Sequence, residues 1–387
     1  MHDAHQPHAS LMEHLKGLPD PRINRTKDHE LVDLLVIAIC TLLCGGESFY
    51  DMEDFGKAKR DWFATFLRLP HGIPSHDTFN RLFVRLDPVS FRECFMRWTE
   101  SLREAIHREV VALDGKALRR ARDGDGDIRY IVSAWAESNR LVLGQLKVAD
   151  KSNEITAVPE LLRALELEGC IVTTDAMGCQ KKIAREIIEA DADYVLALKG
   201  NHETVHEEVK AFLDEEAICH SKPAPPRMAC DPVPPASFAS LETYDKGHGR
   251  LETRRYYQSI HLEWFADLKL WEGLRSVGMV ESIREIAGKV TMERRYYLSS
   301  LPLDIELFAR AVRGHWSVEN SCHWVLDVVM REDDSRTRRG HAPENLATLR
   351  RMAMNLLNRD KTKKRGIKGK QLNASWDNAY LLRLLDF

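Results

Sequence analysis

Four polar residues recur at every fourth position of an otherwise apolar stretch, RGHWSVENSCHWVLDVV (313–329). They are His315, Glu319, His323 and Asp327, and residues four apart share one face of a helix. We expect this face to present Glu319 to a chemical site, with a histidine one turn away on each side. The alternative is a hydrogen-bonded polar stripe where two domains meet.

Two aspartates follow strand-like runs earlier in the chain. Asp114 ends VVALD (110–114), and Asp175 follows the apolar part of CIVTTDA (170–176). If the first and fourth strands are neighbours, both carboxylates emerge at one edge of the sheet, and a helix packed there could add Glu319. Taken alone, each aspartate is equally typical of a turn.

Three converging carboxylates repel one another and need cations. Hard oxygen ligands favour Mg²⁺ or Mn²⁺, and two such ions about 3.5–4 Å apart suit the cleavage of a phosphodiester. We therefore expect Asp114, Asp175 and Glu319 to hold two Mg²⁺ (or Mn²⁺) ions. The alternative is a zinc site formed by His315, Glu319 and His323, which is strained because positions four apart rotate by about 40° around a helix.

Basic and polar side chains near these acids are expected to contact the phosphates of such a substrate, with an affinity that falls as salt rises. The candidates are Lys116, Arg119, Lys199, His202, His248, Arg250, Arg254, Arg313, His315, Asn320 and His323. Each of them alone is also typical of a solvated surface.

The order of elements predicts an α/β fold. Strand-like runs at 110–114, 129–137, 140–148, 170–176 and 193–200 and helical runs at 155–167 and 181–190 give the order β-β-β-α-β-α-β. Continuous apolar strands between helices indicate a sheet covered on both faces. Trp316 and Trp324 are expected to pack the late helix onto that sheet.

The predicted divisions follow changes in this pattern. They are a helical domain (1–108), the first part of an α/β core (109–220), a β-rich insertion (221–302), the C-terminal helices of the core (303–360) and a basic tail (361–387). Within the first, residues 72–86 fit the second helix of a helix-turn-helix, or simply one turn of a helical bundle.

Composition sets the class of protein and the compartment. The 387 residues are 44% hydrophobic and 30% charged with a net charge of −3, as in ordinary soluble globular proteins. From Arg331 to Phe387, however, 14 Lys or Arg face 7 Asp or Glu, which suits a polyanion. Scattered cysteines, an N-terminus without a signal-peptide pattern and no membrane-length apolar run favour a cytoplasmic location.

An ordered set of motifs resembles the H-repeat-associated, ISAs-type insertion-sequence transposases over about residues 10–370. The motifs are LDGKALRR (113–120), TTDA (173–176), ALKGNH (197–202), GHGRLETR (247–254), the HWxxENxxHWxLDV run (315–328) and RRGHAPENLATLRRMAMNLL (338–357). The resemblance implies a DDE enzyme with a ribonuclease-H-like mixed sheet flanked by helices. It also implies an inserted β-rich subdomain and an all-helical N-terminal transposase-associated domain.

The resemblance further implies a DNA transposase that cleaves element ends and transfers strands to a target, with Asp114, Asp175 and Glu319 as its metal-binding catalytic triad. Its partner would be double-stranded DNA, bound by a homo-oligomer. Related families carry a Tyr-Arg-Glu-Lys signature around the catalytic Glu. Here the Tyr, Arg and Lys positions hold Val312, His315 and Leu326.

The Arg of that signature holds a phosphate of the DNA. In this chain, either His315 or Arg313 would have to take that role. The alternatives to a transposase are a metal-dependent nuclease on the same fold and a domesticated, non-catalytic DNA-binding relative.

Overall fold

The computed structural model describes residues 10–23, 25, 27–122, 128–148, 154–220, 237–247, 250–286 and 288–385. Its helices are α1 (Leu11–Lys16), α2 (Leu31–Leu43), α3 (Phe49–Ala58), α4 (Arg60–Phe63), α5 (His76–Arg85), α6 (Pro88–Leu102), α7 (Glu154–Arg163), α8 (Lys181–Glu189), α9 (Glu203–His220), α10 (Ile305–Ser317), α11 (Ala342–Arg359), α12 (Ile367–Trp376) and α13 (Asn378–Leu384). Its strands are β1 (Val110–Arg122), β2 (Ile128–Ala136), β3 (Leu141–Lys147), β4 (Ile171–Thr174), β5 (Asp193–Leu198), β6 (Phe238–Gly247), β7 (Arg250–Ser259), β8 (Ser276–Ile286) and β9 (Lys289–Ser299).

These strands form one mixed sheet in the order β3-β2-β1-β4-β5-β9-β8-β7-β6. β1, β4 and β5 are parallel neighbours, whereas β9, β8, β7 and β6 continue from β5 as an antiparallel meander. The predicted order β-β-β-α-β-α-β and the hairpin between β2 and β3 are confirmed. The strands of the predicted β-rich insertion extend the same sheet.

The chain divides into two compact units. The first unit comprises Met1–Ile106, Gly115–Asn153 and Ser317–Phe387, and the second comprises His107–Asp114 and Glu154–Trp316. Strand β1 changes units after Asp114. The predicted divisions in chain order remain predictions, because the compact units cross them.

The core of the first unit is built around two apolar helices. α2 is buried along almost its whole length, and so is α11. Buried amides tie α11 to its neighbours, since Asn345 donates to the carbonyls of Phe83 and Leu86, at 2.9 Å each. The predicted basic tail contains α12 and α13. These helices pack against the protein, since Ile367 and Leu381 are buried.

The core of the second unit lies between the sheet and α10. Val110 of β1, Ile171 of β4 and Val195 of β5 share one apolar cluster with Phe308 and Val312 of α10. Two glycines permit this close approach, since a Cβ on Gly314 would lie 2.9 Å from Val110, and one on Gly278 of β8 would overlap the Phe308 ring. The position of α10 on the sheet thus depends on side chains that pack against these two glycines.

None of the helices in these described segments has the length and apolar character that crossing a bilayer requires.

Gly278→Ala should lower the free energy of unfolding by about 1–3 kcal/mol, because an added methyl group must displace the Phe308 ring. Urea unfolding followed by circular dichroism measures this loss. Gly200→Ala is the matched control, since nothing lies within 4 Å of its added Cβ. Equal stability of the two variants would show that α10 is not seated through Gly278.

Candidate active site

The parallel pairing of β1 with β4 brings the two sequence-predicted aspartates together. The register pairs Val110 with Ile171 and runs to Leu113 with Thr174. The next residue on each chain segment is Asp114 and Asp175, respectively, and both are half-buried. Since paired strands lie about 4.8 Å apart, the backbone positions of the two aspartates are neighbours where this ladder ends in the second unit. The prediction that the first and fourth strands are neighbours is confirmed.

One detail of that prediction is wrong. Asp114 does not end its strand, because β1 continues to Arg122. What ends at Asp114 is the pairing with β4, whose last residue is Thr174. The carboxylate therefore lies where the parallel ladder stops, within a continuous strand.

The loop after β4 holds Asp175 in a tight turn. Its Oδ1 accepts a hydrogen bond from the backbone N–H of Gly178 at 3.2 Å. Asn201 donates to the carbonyl of Ala176 at 2.7 Å, and His202 Nε2 lies 2.7 Å from the carbonyl of Cys179. The loop that carries Asp175 is thus braced from the segment after β5.

His202 makes contacts within the protein, and its predicted contact with DNA remains a prediction. Its ring nitrogen is engaged with the Cys179 carbonyl, and its ring packs edge-on against the buried Trp271 with centroids 5.5 Å apart. The sequence showed an ionisable residue after a strand, but not the carbonyl that it faces.

His315, on the last turn of α10, lies beside this loop. Its Nδ1 is 3.0 Å from Oγ1 of Thr173, two residues before Asp175. Burial lowers the pKa of His315, Asp175 opposes this shift and Arg295 adds to it, and the net pKa is about 4. The imidazole is therefore neutral at pH 7. Both His315 and Arg313 remain predicted replacements for the signature arginine.

Arg313 retains the exposure that a phosphate contact needs. Its side chain is 50% exposed, and its guanidinium lies 3.5 Å from Asp245, a distance at which an exposed pair contributes little.

Arg295 is a cation of this unit that the sequence analysis missed. It stacks on Trp316, with its guanidinium carbon 4.4 Å from the ring centroid, and its Nε donates to Glu293 at 2.8 Å. Strand alternation in ERRYYL was an available signal, since it places Arg295 on the same face as the core residue Tyr297. Its partner Trp316, however, is 21 positions away in the chain.

Glu319 lies in the first unit, in a π-helical segment. After α10 the chain forms π-helical turns at Val318–His323 and Val325–Val329, and Glu319 is exposed. Trp135 Nε1 donates to Ser317 Oγ at 2.9 Å and fixes the start of this segment to β2. π-Helical turns occur frequently at functional sites.

This segment differs from the prediction of a regular polar face. Hydrogen bonds between residues five apart change the angle between successive side chains, so His315, Glu319, His323 and Asp327 do not follow one α-helical stripe. Trp324 is 55% exposed, and the prediction that it packs the helix onto the sheet is wrong.

Lys116 has a different environment from the one predicted. Its side chain is 6% exposed, and its Nζ lies 2.6 Å from Asp327, 3.0 Å from Asp333 and 3.3 Å from Glu332. Burial alone would lower the pKa of Lys116, but the three carboxylates raise it. Arg351 approaches Glu332 from the other side at 2.8 Å. A buried ammonium with three carboxylate partners does not present itself to DNA.

Arg254 is also engaged within the protein. Its side chain is 10% exposed and pairs with Glu252 at 2.6 Å and with Asp245.

Three other candidates, Arg119, Lys199 and Asn320, are exposed, while His323 is half-buried. His248 and the side chain of Arg250 lie outside the described residues.

Among the residues that the structure describes, no group of three or more His, Cys, Asp and Glu side chains is arranged to hold a metal ion. The carboxylate triad and the zinc alternative both remain predictions. The pair Asp114 and Asp175 still fits Mg²⁺ or Mn²⁺. Such ions bind through one or two carboxylates, with waters and substrate phosphates completing the coordination.

Comparison with known proteins adds independent information. Residues 106–356 match the family model described as "Transposase DDE domain", and residues 12–99 match the one described as "DDE_Tnp_1-associated".

Two curated relatives span nearly the full chain. The chain is 39% identical over 383 residues to the "H repeat-associated putative transposase YhhI" of Escherichia coli (strain K12), with 97% of each chain covered. It is 36% identical over 383 residues to the "Putative transposase YncI" of Escherichia coli O157:H7, covering 97% of this chain and 94% of that one.

A solved piggyBac transposase synaptic complex with hairpin DNA aligns with a TM-score of 0.44 at 12% identity, covering 97% of this chain and 79% of that one. That likeness is too weak to establish a common fold.

Lys116→Met should cost about 3–5 kcal/mol of unfolding free energy, because it leaves buried carboxylates without their cation. Lys116→Arg, which keeps the charge, should cost less. Urea unfolding at pH 7 measures both. A Met variant with wild-type stability and weakened DNA binding would instead identify Lys116 as a DNA contact.

Proposed function

Because the chain belongs to the DDE transposase family, we propose that it is the DNA transposase of an insertion sequence. In this proposal it cleaves phosphodiester bonds at the ends of its element and joins the freed 3′-hydroxyl to target DNA. The observation that carries the proposal is the register of β1 and β4, which sets Asp114 beside Asp175. Two carboxylates on neighbouring strands suit a divalent cation and phosphoryl transfer.

The proposed catalytic residues are Asp114, Asp175 and Glu319, and the proposed ligand is a pair of Mg²⁺ or Mn²⁺ ions. Once bound, such ions would activate the attacking hydroxyl and stabilise the leaving oxygen. The bond from Gly178 orients the carboxylate of Asp175. For Glu319, the exposed position in a π-helical segment and the family resemblance support the assignment.

The proposed DNA contacts are the candidates that remain accessible. Arg119, Lys199 and Arg313 expose charged side chains, and Asn320 exposes a polar one. Their role would be to neutralise or hydrogen-bond backbone phosphates. Neutral His315 would help to position the strand that ends before Asp175 through its contact with Thr173.

We infer that the sheet is a ribonuclease-H-like core with a β-rich insertion. The strand order β3-β2-β1-β4-β5, with β1, β4 and β5 parallel, supports this inference. β6 to β9 would be the insertion. Because transposition pairs two DNA ends, we also expect a homo-oligomer on double-stranded DNA, acting in the cytoplasm where that DNA lies.

A test of the triad uses duplex DNA that carries the sequence flanking the gene. With Mg²⁺ present, Asp114→Asn, Asp175→Asn and Glu319→Gln should each reduce nicking by more than about 100-fold, since even outer-shell partners of metal ligands contribute 10- to 100-fold. Binding of the same DNA without metal should persist. Glu263→Gln, whose side chain is 93% exposed, should cleave like the wild type.

The products separate the three candidate functions. Joined DNA indicates a transposase, nicked DNA without joining indicates a nuclease, and binding without cleavage indicates a non-catalytic relative. Near-normal nicking by any one of the three carboxylate variants would remove that residue from the catalytic set.

A further inference from the structure

A cavity of about 320 Å³ in the first unit is lined mainly by cations. It lies where the start of β3 meets the segment that joins α11 to α12. We call it the basic cavity and define it by its six cationic lining residues, Arg140, Lys361, Lys363, Lys364, Arg365 and Lys370. None of the six belongs to the residues proposed above for catalysis or for DNA contact.

The charge of the basic cavity is not balanced from within. The one carboxylate in its lining, Asp360, accepts hydrogen bonds from Thr362 at 2.6 and 3.0 Å and from the Tyr380 hydroxyl at 2.8 Å. Lys370 lies 3.9 Å from the same carboxylate. Within the described parts of the chain, no ion pair engages Arg140, Lys363, Lys364 or Arg365. Six cations therefore face one acid that is already committed.

Lys370 is fixed in the lining by hydrogen bonds and lies near other cations of the basic cavity. The Nζ of buried Lys370 donates to the carbonyls of Leu357 and Asp360, at 2.7 and 2.5 Å. Burial lowers the pKa of Lys370, and Lys361 and Arg140 lower it further while Asp360 opposes them. The ammonium and guanidinium groups thus repel one another, and an anion in the cavity would relieve that repulsion.

One helix start in the lining also favours an anion. α12 starts at the cavity, and its N-cap residue Gly366 supplies no side-chain hydrogen bond. The first N–H groups of that ten-residue helix add positive partial charge to the lysines and arginines.

We propose that the basic cavity binds the phosphate backbone of double-stranded DNA, and this choice of ligand rests on the proposed function. Lys361, Lys363, Lys364 and Arg365 fall within five consecutive positions and are at least partly exposed. A row of cations of this kind suits successive phosphates of a polymer better than one isolated anion. The contact is independent of sequence, since phosphates carry no base information.

The test measures how DNA affinity depends on salt. Asp114→Asn protein, without divalent metal, is titrated with a 30-base-pair duplex of arbitrary sequence by fluorescence anisotropy at 50 to 200 mM KCl. Adding Lys363→Gln, Lys364→Gln and Arg365→Gln should reduce the magnitude of the log–log salt slope by about 2 to 3, at about 0.9 for each lost phosphate contact. Affinity at 100 mM KCl should fall at least about 10-fold.

Two control proteins make this result specific. Lys182→Gln, Arg185→Gln and Lys269→Gln remove the same charge from exposed sites elsewhere and should leave the slope unchanged. Lys363→Arg, Lys364→Arg and Arg365→Lys keep the charge of the cavity and should retain the wild-type slope. A cavity variant that matches the charge-removal control would overturn the proposal.

Inorganic pyrophosphate distinguishes a small ligand from a polymer. If it binds the wild type and not the Gln variant while the DNA slope is the same in both, the cavity takes a free phosphate compound and the DNA proposal is wrong. Cleavage by wild-type protein with Mg²⁺ is scored separately. If the cavity variant has a reduced slope but the wild type does not cleave DNA, the cavity contact is supported and the transposase proposal is wrong. If the wild type cleaves DNA but the slope of the cavity variant is unchanged, the transposase proposal stands and the cavity contact is wrong.

Discussion

The in-register parallel pairing of β1 with β4 is the constraint on which the proposed chemistry depends. Four residue pairs, from Val110 with Ile171 to Leu113 with Thr174, fix the relative height of the two strands. A one-residue slip would move one carboxylate by about 3.3 Å and turn it to the opposite face of the sheet. The apolar side chains of the ladder therefore set the geometry of the acids that follow them.

Packing of α10 stabilises that register. Gly314 brings the helix backbone close to the side chain of Val110, and the Phe308 ring lies over Gly278. On the same helix, His315 reaches Thr173 in the last part of β4. The half-buried imidazole, whose pKa is lowered to about 4, is neutral at pH 7 and adds no charge beside Asp175.

In the first unit, charge is handled in two opposite ways. Lys116 is buried among Asp327, Glu332 and Asp333, where its charge is matched and serves stability. The basic cavity around Lys370 collects cations that meet only one acid. The charge of Lys116 is neutralised within the protein, whereas the cations of the basic cavity are available to an external anion. Residue type alone does not distinguish the two.

Local periodicity predicted the elements well, because apolar repeats depend only on neighbours in the chain. It predicted the β2–β3 hairpin, and it gave the condition under which Asp114 and Asp175 come together, namely that the first and fourth strands are neighbours. It missed the π-helical segment at Glu319, because bonds between residues five apart leave no apolar repeat. It overlooked Arg295 and did not reveal the contacts that Lys116 and His202 make within the protein, because burial and distant partners are set by the tertiary fold.

The most direct test is anomalous scattering from crystals soaked in Mn²⁺. The account predicts an anomalous peak bound by carboxylate oxygens of both Asp114 and Asp175, at about the 2.0–2.2 Å typical of small divalent cations, and no such peak in Asp175→Asn crystals. A peak that avoids both aspartates, or wild-type crystals that bind no Mn²⁺ at millimolar concentration, would contradict it.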